Sequence, residues 1–459
     1  MKRILILGAG QVGHSVAEAL TADGHAVTVV DRSPERLEAL GQHLDLRVVC
    51  GHAAHPDVLD AAGARDAEML IAVTDSDEVN MIACQVASTL FSVGTKIARV
   101  RAQSYIEAEG LFAQDAIPVD QTIAPENLVT NYIRRLIEHP GALQVLDFAD
   151  GLVSLVGVRA YYGGPLVGHE LRSLPKHIPG VQTRVAAVYR RDRAIAPDGS
   201  TVIEPDDEVF FVAAKKNIRA ITSELRKAEK PYKRIVIAGG GNVGLRLATA
   251  LAEKYRVRIL ERDSRRAEDL AERVPSGVLV LEGDASNDRF LSEVDLEGTD
   301  VFCSVTNDDQ ANIFAGMLAK RYGVRQVIAL INNPVYVDLV QAGAIDIAFS
   351  PQQLTVSALL ASVREGGTTT VHTLRRGAAE AIETVVHGDA ETSAVIGRQI
   401  QDLPLPRSAT VGAIVRGEEV LIPHRDTVIE AEDHVILLLA DRSKVKAVQK
   451  LFRPSALFF

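Results

Sequence analysis

The sequence predicts an α/β protein built twice over: two tandem Rossmann-like domains, each followed by a small α+β domain. Three observations lead there. First, Gly8-Ala9-Gly10-Gln11-Val12-Gly13 follows the apolar run Ile4-Leu5-Ile6-Leu7, and Gly239-Gly240-Gly241-Asn242-Val243-Gly244 follows Ile235-Val236-Ile237-Ala238. Each has the strand, GxGxxG turn and Ala/Leu-rich helix of a dinucleotide-binding fingerprint. Second, short apolar runs alternate with helical stretches, the pattern of a parallel doubly wound sheet. Third, the register repeats. Gly8 and Gly239 are 231 residues apart, while Gly51 and Gly283, Thr74 and Thr306, and Asn80 and Asn312 are each 232 apart. A register held over roughly 70 residues indicates internal duplication.

The elements follow in order. In the first half the strands are expected at 4–7, 26–30, 47–50, 69–73 and 96–100, with helices opening at Ser15 and near Glu35. In the second they are expected at 235–238, 257–260, 278–281, 301–305 and 327–331. Each half then runs through a proline-led segment, Ile123-Ala124-Pro125-Glu126-Asn127 or Phe349-Ser350-Pro351-Gln352-Gln353, into a helical pattern at 128–138 or 354–365. A β-rich stretch with turn signals follows. Its matched pieces are Ala186-Ala187-Val188-Tyr189-Arg190 and Gly412-Ala413-Ile414-Val415-Arg416, Ala196-Pro197 and Ile422-Pro423, and Val209-Phe210-Phe211-Val212 and Val435-Ile436-Leu437-Leu438. The expected domains are 1–125 and 232–351 (Rossmann) and 126–228 and 352–459 (linking helix plus small domain). The charged stretch from Glu224 to Pro231 reads as a helix stopped by the proline.

Composition narrows the function. The chain of 459 residues is 47% hydrophobic and 24% charged, as in globular domains, so core burial is not limiting. A net charge of −10 opposes a general affinity for nucleic acid, and 5% aromatics with no Trp disfavours base stacking. No apolar run approaches the ~18 residues of a membrane span, and Met1-Lys2-Arg3 leads directly into a strand without a cleavable signal. Three cysteines, Cys50, Cys84 and Cys303, are scattered without paired spacing, which suits a reducing compartment.

The candidate chemistry lies in the loops after the strands. Gly8 makes the tight turn, Gly10 lets a pyrophosphate approach the backbone, and Gly13 lets helix and strand pack closely. The helix N-terminus then offers free N–H groups to phosphate. Asp31 and Glu261 close the second strand of each half, where a carboxylate accepts from the adenosine ribose and repels a 2′-phosphate, favouring NAD(H). The competing reading is a solvated strand-end acid. Gly51, His52 and Ala53, with Gly283, Asp284 and Ala285, form the next loop. Thr74 and Asp75, with Thr306 and Asn307, lie at the carboxyl end of the fourth strand, where such sheets bind ligands; plain helix capping is the alternative. Arg99 ends the fifth strand and is either a nucleotide contact or one half of a surface ion pair. Cys50, His52 and His55 lack the further ligands a metal needs, so no metal is expected. Nor is a catalytic metal, nucleophile or carboxylate pair recognisable in either half, which favours sensing over turnover.

On these residues the whole chain resembles the TrkA family, the cytoplasmic NAD-binding subunits of bacterial Trk potassium-uptake systems. The likeness rests on the first glycine fingerprint with Asp31 and on Cys50-Gly51-His52-Ala53 with Thr74-Asp75. It rests also on Tyr161-Tyr162-Gly163-Gly164-Pro165, Asp206-Asp207-Glu208-Val209-Phe210-Phe211 and Arg375-Arg376-Gly377-Ala378-Ala379-Glu380. The tandem order of two RCK (KTN) nucleotide-binding domains, each with an RCK C-terminal domain, is more specific than any one motif. The resemblance implies a non-enzymatic peripheral subunit on the inner face of the bacterial membrane that controls a TrkH- or TrkG-type potassium-conducting partner. It implies NAD(H), with ATP or ADP, as ligands, and rings of eight Rossmann units, hence a homotetramer. The alternative is a NAD-dependent oxidoreductase with duplicated Rossmann units. The halves diverge at His52/Asp284, Glu78/Gln310 and Arg99/Leu330, so the first site is expected to be the fuller dinucleotide site.

Overall fold

The computed structural model describes all residues except 114, 192, 196, 227–229, 295, 342, 344, 364–367, 375–378, 407, 442–443 and 453–459. Ala196 and the residues Arg375 to Ala378 singled out above therefore lie outside the described residues, as do 227–229 of the linker and 364–365 of the second helical stretch.

The first domain is a six-stranded parallel sheet of β1 (Arg3–Leu7), β2 (Ala26–Asp31), β3 (Arg47–Cys50), β4 (Met69–Ala72), β5 (Thr95–Arg99) and β6 (Gln121–Ile123), in the order β3-β2-β1-β4-β5-β6. That is the doubly wound order, with its switch point between β1 and β4. Its helices are α1 (Gln11–Ala22), α2 (Pro34–His43), α3 (Pro56–Ala61), α4 (Asp77–Phe91), the short α5 (Gln103–Ile106) and α6 (Pro125–Glu138). The strands read as continuous apolar runs because helices cover both faces. Ile4, Ile6 and Leu7 are almost fully buried, and Leu70, Ala72, Cys84 and Ala98 share a core with Leu59 and Phe91.

A five-stranded antiparallel sheet follows: β7 (Ala142–Phe148), β8 (Val153–Arg159), β9 (Thr183–Arg190), β10 (Arg193–Ile195) and β11 (Glu208–Ala214), ordered β10-β9-β11-β8-β7. Helices α7 (Leu174–His177) and α8 (Ile218–Leu225) complete it. The second half repeats the plan. Strands β12 (Arg234–Ala238), β13 (Arg256–Glu261), β14 (Leu279–Glu282), β15 (Val301–Ser304), β16 (Gln326–Leu330) and β17 (Ile347–Phe349) form a sheet ordered β14-β13-β12-β15-β16-β17, the first order again. Its helices are α9 (Asn242–Leu251), α10 (Ser264–Arg273), α11 (Asp288–Glu293), α12 (Asp309–Arg321), α13 (Pro334–Gln341) and α14 (Pro351–Val363). The last sheet, β18 (Thr368–Leu374), β19 (Ala379–Val385), β20 (Ala409–Arg416), β21 (Glu419–Leu421) and β22 (His434–Leu439), runs β18-β19-β22-β20-β21, with α15 (Val445–Phe452) after it. This is the first antiparallel sheet's connectivity over again.

The chain forms two compact units. One comprises Met1–Thr130, Leu330–Val337 and Phe349–Leu360; the other comprises Asn131–Ala329, Asp338–Ala348 and Ala361–Phe459. Within the second, the two antiparallel sheets share one core: Leu146, Phe148, Phe210 and Val212 pack with Leu374, Ala381, Ile436 and Leu438. Polar ties run through the same junction, where Glu383 accepts from the Ala149 N–H at 3.0 Å and Arg184 donates to the Val411 carbonyl at 3.1 Å.

The linking segment corrects one expectation. The helix ends at Leu225, not at Pro231, because its last carbonyls are taken by another loop. Glu224 O accepts from Leu166 N and Leu225 O from Tyr161 N, both at 2.9 Å. Arg226 is extended, donates to Gly141 O and lies over the Tyr161 ring. Tertiary contacts here override a good helical composition. Among the described residues no helix is long and apolar enough to cross a membrane.

Candidate functional site

Each glycine turn is shaped by its own residues. Gly8 and Gly239 sit at φ +107° and +109°, in the region that side chains avoid, and their N–H groups bond to Val30 O and Leu260 O. A Cβ on Gly13 would fall 1.8 Å from Gly8 O, and on Gly244 1.9 Å from Gly239 O. These glycines permit the close helix–strand packing. Gly10 and Gly241 differ: φ is −68° at both, and a Cβ there meets no atom within 4 Å. Nothing in the fold requires glycine at these two positions, but the open space over the backbone is what an approaching pyrophosphate needs.

The helix ends make the same point. Helices α2, α4, α10, α11 and α12 begin with a side-chain cap from Ser33, Ser76, Asp263, Asn287 and Asp308. Helices α1 and α9, which begin at the glycine turns, have no side-chain cap, and neither do the shorter α3, α5, α7 and α8. Their first-turn N–H groups at Gln11, Val12 and Gly13, and at Asn242, Val243 and Gly244, present the positive end of the helix to an incoming phosphate.

Asp31 and Glu261 stand beside the turns. Asp31 Oδ2 accepts from Ala9 N at 2.6 Å and Oδ1 from Ser33 N at 2.8 Å; Glu261 Oε2 accepts from Gly240 N at 2.8 Å and Oε1 from Asp263 N at 2.9 Å. Each carboxylate thus pins the glycine turn to the strand end. With two oxygens and about four lone-pair sites, it also keeps acceptor capacity for a ribose diol. The solvated-acid reading does not describe either group. The longer Glu261 is buried and closes over its turn: a Cβ on Gly240 would lie 2.1 Å from Leu270 Cδ1 and 3.0 Å from Glu261 Oε2, where the first half carries Ala9.

The third-strand loops are equivalent despite their different residues. His52 Nδ1 accepts from Ala54 N at 3.3 Å; Asp284 Oδ1 accepts from Ser286 N at 2.8 Å and from its hydroxyl at 2.7 Å. Each side chain folds onto the residue two further on. The Ser286 bonds, helped by Arg262, hold the Asp284 carboxyl below the usual range. Gly51 packs on Val58, and Gly283 on Phe290. Ala53 is buried and Ala285 half-buried. The His52 and His55 rings stack at 4.5 Å. His52 and Asp284 thus hold their loops in the same way with different chemistry.

Beyond β4 and β15, Thr74 N donates to Asn80 Oδ1 at 2.9 Å, and Thr306 N to Asn312 Oδ1 at 2.9 Å. Both asparagines are completely buried. Asn80 Nδ2 reaches Arg99 O at 2.9 Å, joining the ends of β4 and β5. Helix capping accounts for part of each loop, Ser76 capping α4 and Asp308 capping α12, while the Thr74 and Thr306 hydroxyls donate to the buried Asn80 and Asn312. Asp75 is exposed, with Arg32 4.0 Å away, and its carbonyl accepts from Arg101. Asn307 lies in the matching loop of the second half. Asn80 and Asn312 were visible as a repeated pair but not as the residues that hold the loop; an invariant offset was the only signal.

Among the described residues Arg99 forms no ion pair: its Nη2 donates to Thr74 O at 2.6 Å, and its buried Nε meets no hydrogen-bond partner there. Burial, with Arg101 nearby, pulls its pKa down against the opposing pull of Glu126, Asp77 and Asp75. The partly desolvated guanidinium thus lies against the loop that follows β4. The second half has Leu330 there, and Gln310 where the first has Glu78, which bonds to Ser76 Oγ and the Tyr105 hydroxyl.

Comparison with known proteins gives a consistent picture. The TrkA-N domain family matches residues 4–125 and 235–351, and the TrkA-C domain family residues 155–226 and 389–453. The chain is similar to the Trk system potassium uptake protein TrkA of Halomonas elongata, 56% identical over 457 residues and covering 100% of both chains. It is similar also to that of Vibrio alginolyticus, 55% identical over 99% of this chain and 100% of the other. A TrkA homolog of Archaeoglobus fulgidus is 31% identical over 98% and 100%. Among solved structures, the GsuK channel bound to NAD aligns with a TM-score of 0.61, 18% identity, and coverage of 98% of this chain and 79% of that one. The GsuK RCK domain gives 0.60, 19%, 98% and 95%. At that identity the likeness shows the fold.

Proposed function

Because the chain belongs to the TrkA family, we propose that it is the nucleotide-sensing subunit of a Trk-type potassium transport system, with nucleotides held at the two glycine turns. The single observation that carries the site assignment is the contrast between glycines. Gly8, Gly13, Gly239 and Gly244 are needed by the fold, whereas Gly10 and Gly241 leave the space over the backbone of the turn open. When bound, NAD(H), ATP or ADP would supply an anionic phosphate chain and a ribose. The uncapped first turns of α1 and α9 would take the phosphates, and Asp31 and Glu261 the ribose hydroxyls. Gly51, His52, Ala53, Thr74, Asp75 and Arg99 border the first site, and Gly283, Asp284, Ala285, Thr306 and Asn307 the second.

The family relationship supports a potassium-conducting membrane partner of the TrkH or TrkG type, a homotetramer, and a peripheral position on the cytoplasmic face. Such a subunit acts without chemistry. A ligand shifts the partner's gate only by its difference in affinity for two conformations of the assembly, typically ~1–3 kcal/mol per site. Calorimetric titration of the full chain with NADH, ATP and ADP tests the binding. Gly10→Ala is expected to keep the wild-type melting temperature and lose NADH affinity at the first site by about tenfold or more. An unchanged affinity would remove the site from this turn.

A further inference from the structure

Helix α14 belongs to the second half of the sequence, yet its first turn is bound to the first nucleotide turn. Gln352 Nε2 donates to Ser15 Oγ at 2.7 Å and to the Gln11 carbonyl at 3.1 Å. Gln11 is the first residue of α1, directly after Gly10, and Ser15 is one turn on. All three lie in one compact unit. The acceptors thus sit on the very turn whose N–H groups face the phosphate site. Any axial shift or rotation of α1 moves both acceptors together, and α14 is held to them by the two N–H groups of one amide.

We propose that Gln352 is a positioning residue that transmits nucleotide occupancy at the first site into α14, and along it into the second half of the chain. The inference rests on the reading of Gly8 to Gly13 as a nucleotide site. Pro351 fixes the backbone at the start of α14, so the amide moves with the helix rather than with a loose chain. From Gln352 the helix continues to Val363, and the chain then enters the last antiparallel sheet at Thr368. Where Gln352 and Ser15 stand, the other halves carry Glu126 and Arg246, a carboxylate and a guanidinium in place of an amide and a hydroxyl, so the chemistry at the matching positions is ionic.

Hydrogen exchange on the full chain, with and without NADH, tests this. In the wild type NADH is expected to slow the amides of α1 and those of residues 352–360, each by about fivefold or more, the lower end of allosteric coupling. In Gln352→Ala and Gln352→Glu, NADH is expected to slow α1 still, while 352–360 no longer respond. Ser15→Ala, which removes an acceptor from the other side, is expected to weaken the response in the same direction, so the test does not hang on one variant's folding. A response of 352–360 that is unchanged in all three variants overturns the proposal. So does a wild type in which α1 is slowed and 352–360 are not. If NADH slows neither segment in the wild type, the nucleotide-site reading itself fails, and this inference with it.

Discussion

Asp31 does two jobs at once, and its substitution separates them. The carboxylate holds Ala9 N and Ser33 N, so Asp31→Ala is expected to cost about 1–3 kcal/mol of stability from two unmet N–H groups. It is also expected to weaken NADH binding at the first site by about tenfold or more, whereas Asp31→Asn keeps one acceptor oxygen and loses less stability. Thermal melts and calorimetry read the two effects independently; loss of stability with unchanged NADH affinity would make Asp31 purely structural. Gly13→Ala contrasts with Gly10→Ala. Its Cβ collides with Gly8 O, so it is expected to lower stability by about 2 kcal/mol or more as well as binding. At this scale the glycines and the acidic strand end were legible because each type follows from backbone sterics or charge. The pinning bonds of Asp31, the loop bonds of His52 and Asp284, and the anchoring of Arg99 to Thr74 were not. They depend on loop dihedrals that a single sequence does not reveal.

Among the elements, the two small sheets carry a repeated internal clamp. Asp207 and Asp433 are fully buried; each takes two bonds from an arginine, Arg190 or Arg416, and one from a backbone N–H, Glu204 or Glu430. The paired carboxylate raises the pKa of each arginine further. Asp433→Ala leaves Arg416 with Glu430 and the Val428 carbonyl and takes the acceptor from Glu430 N, and is expected to cost about 1–3 kcal/mol in chemical denaturation. The turn composition around 204–208 was legible as a hairpin, but the clamp was not, because its arginine comes from a strand 17 residues earlier. His372 gives the same sheets a pH dependence. Its ring meets Phe148 edge-on, and burial pushes its pKa down to about 4. The unfolded chain takes up that proton near pH 6.5 and the folded chain only near 4, so stability is complete above about 6.5 and falls as pH drops towards 4. His372→Gln is expected to flatten that slope, by up to about 3 kcal/mol across the window. An equal slope in the variant would assign the acid sensitivity to other groups. The linker reads as helix from Glu224 on for an instructive reason: its composition is helical, but the loop at 161–166 claims the Glu224 and Leu225 carbonyls and Arg226 is extended.

For the molecule as a whole, duplication was readable from the constant offset. The strand orders of all four sheets repeat, at an offset of 230–232 residues through β5 and β16 and of 226 from β6 and β17 onward. What could not be read was how the copies specialise. The shared core of the antiparallel sheets uses residues that alternate like those of any half-buried strand, and the Gln352 link joins positions more than 330 residues apart. The proposed assembly makes a plain expectation in solution: light scattering should give four chains per particle, and a monomer at micromolar concentration would dissociate ring formation from nucleotide sensing.

The most direct measurement is potassium flux through a TrkH- or TrkG-type partner reconstituted in vesicles with this protein, as NADH, ATP and ADP are varied. With the wild-type chain the flux should change with the nucleotide present. With Gly10→Ala/Gly241→Ala, folded and bound to the partner, that dependence should disappear. A flux that responds to nucleotides equally with the wild type and the double variant would contradict the assignment of sensing to the two glycine turns.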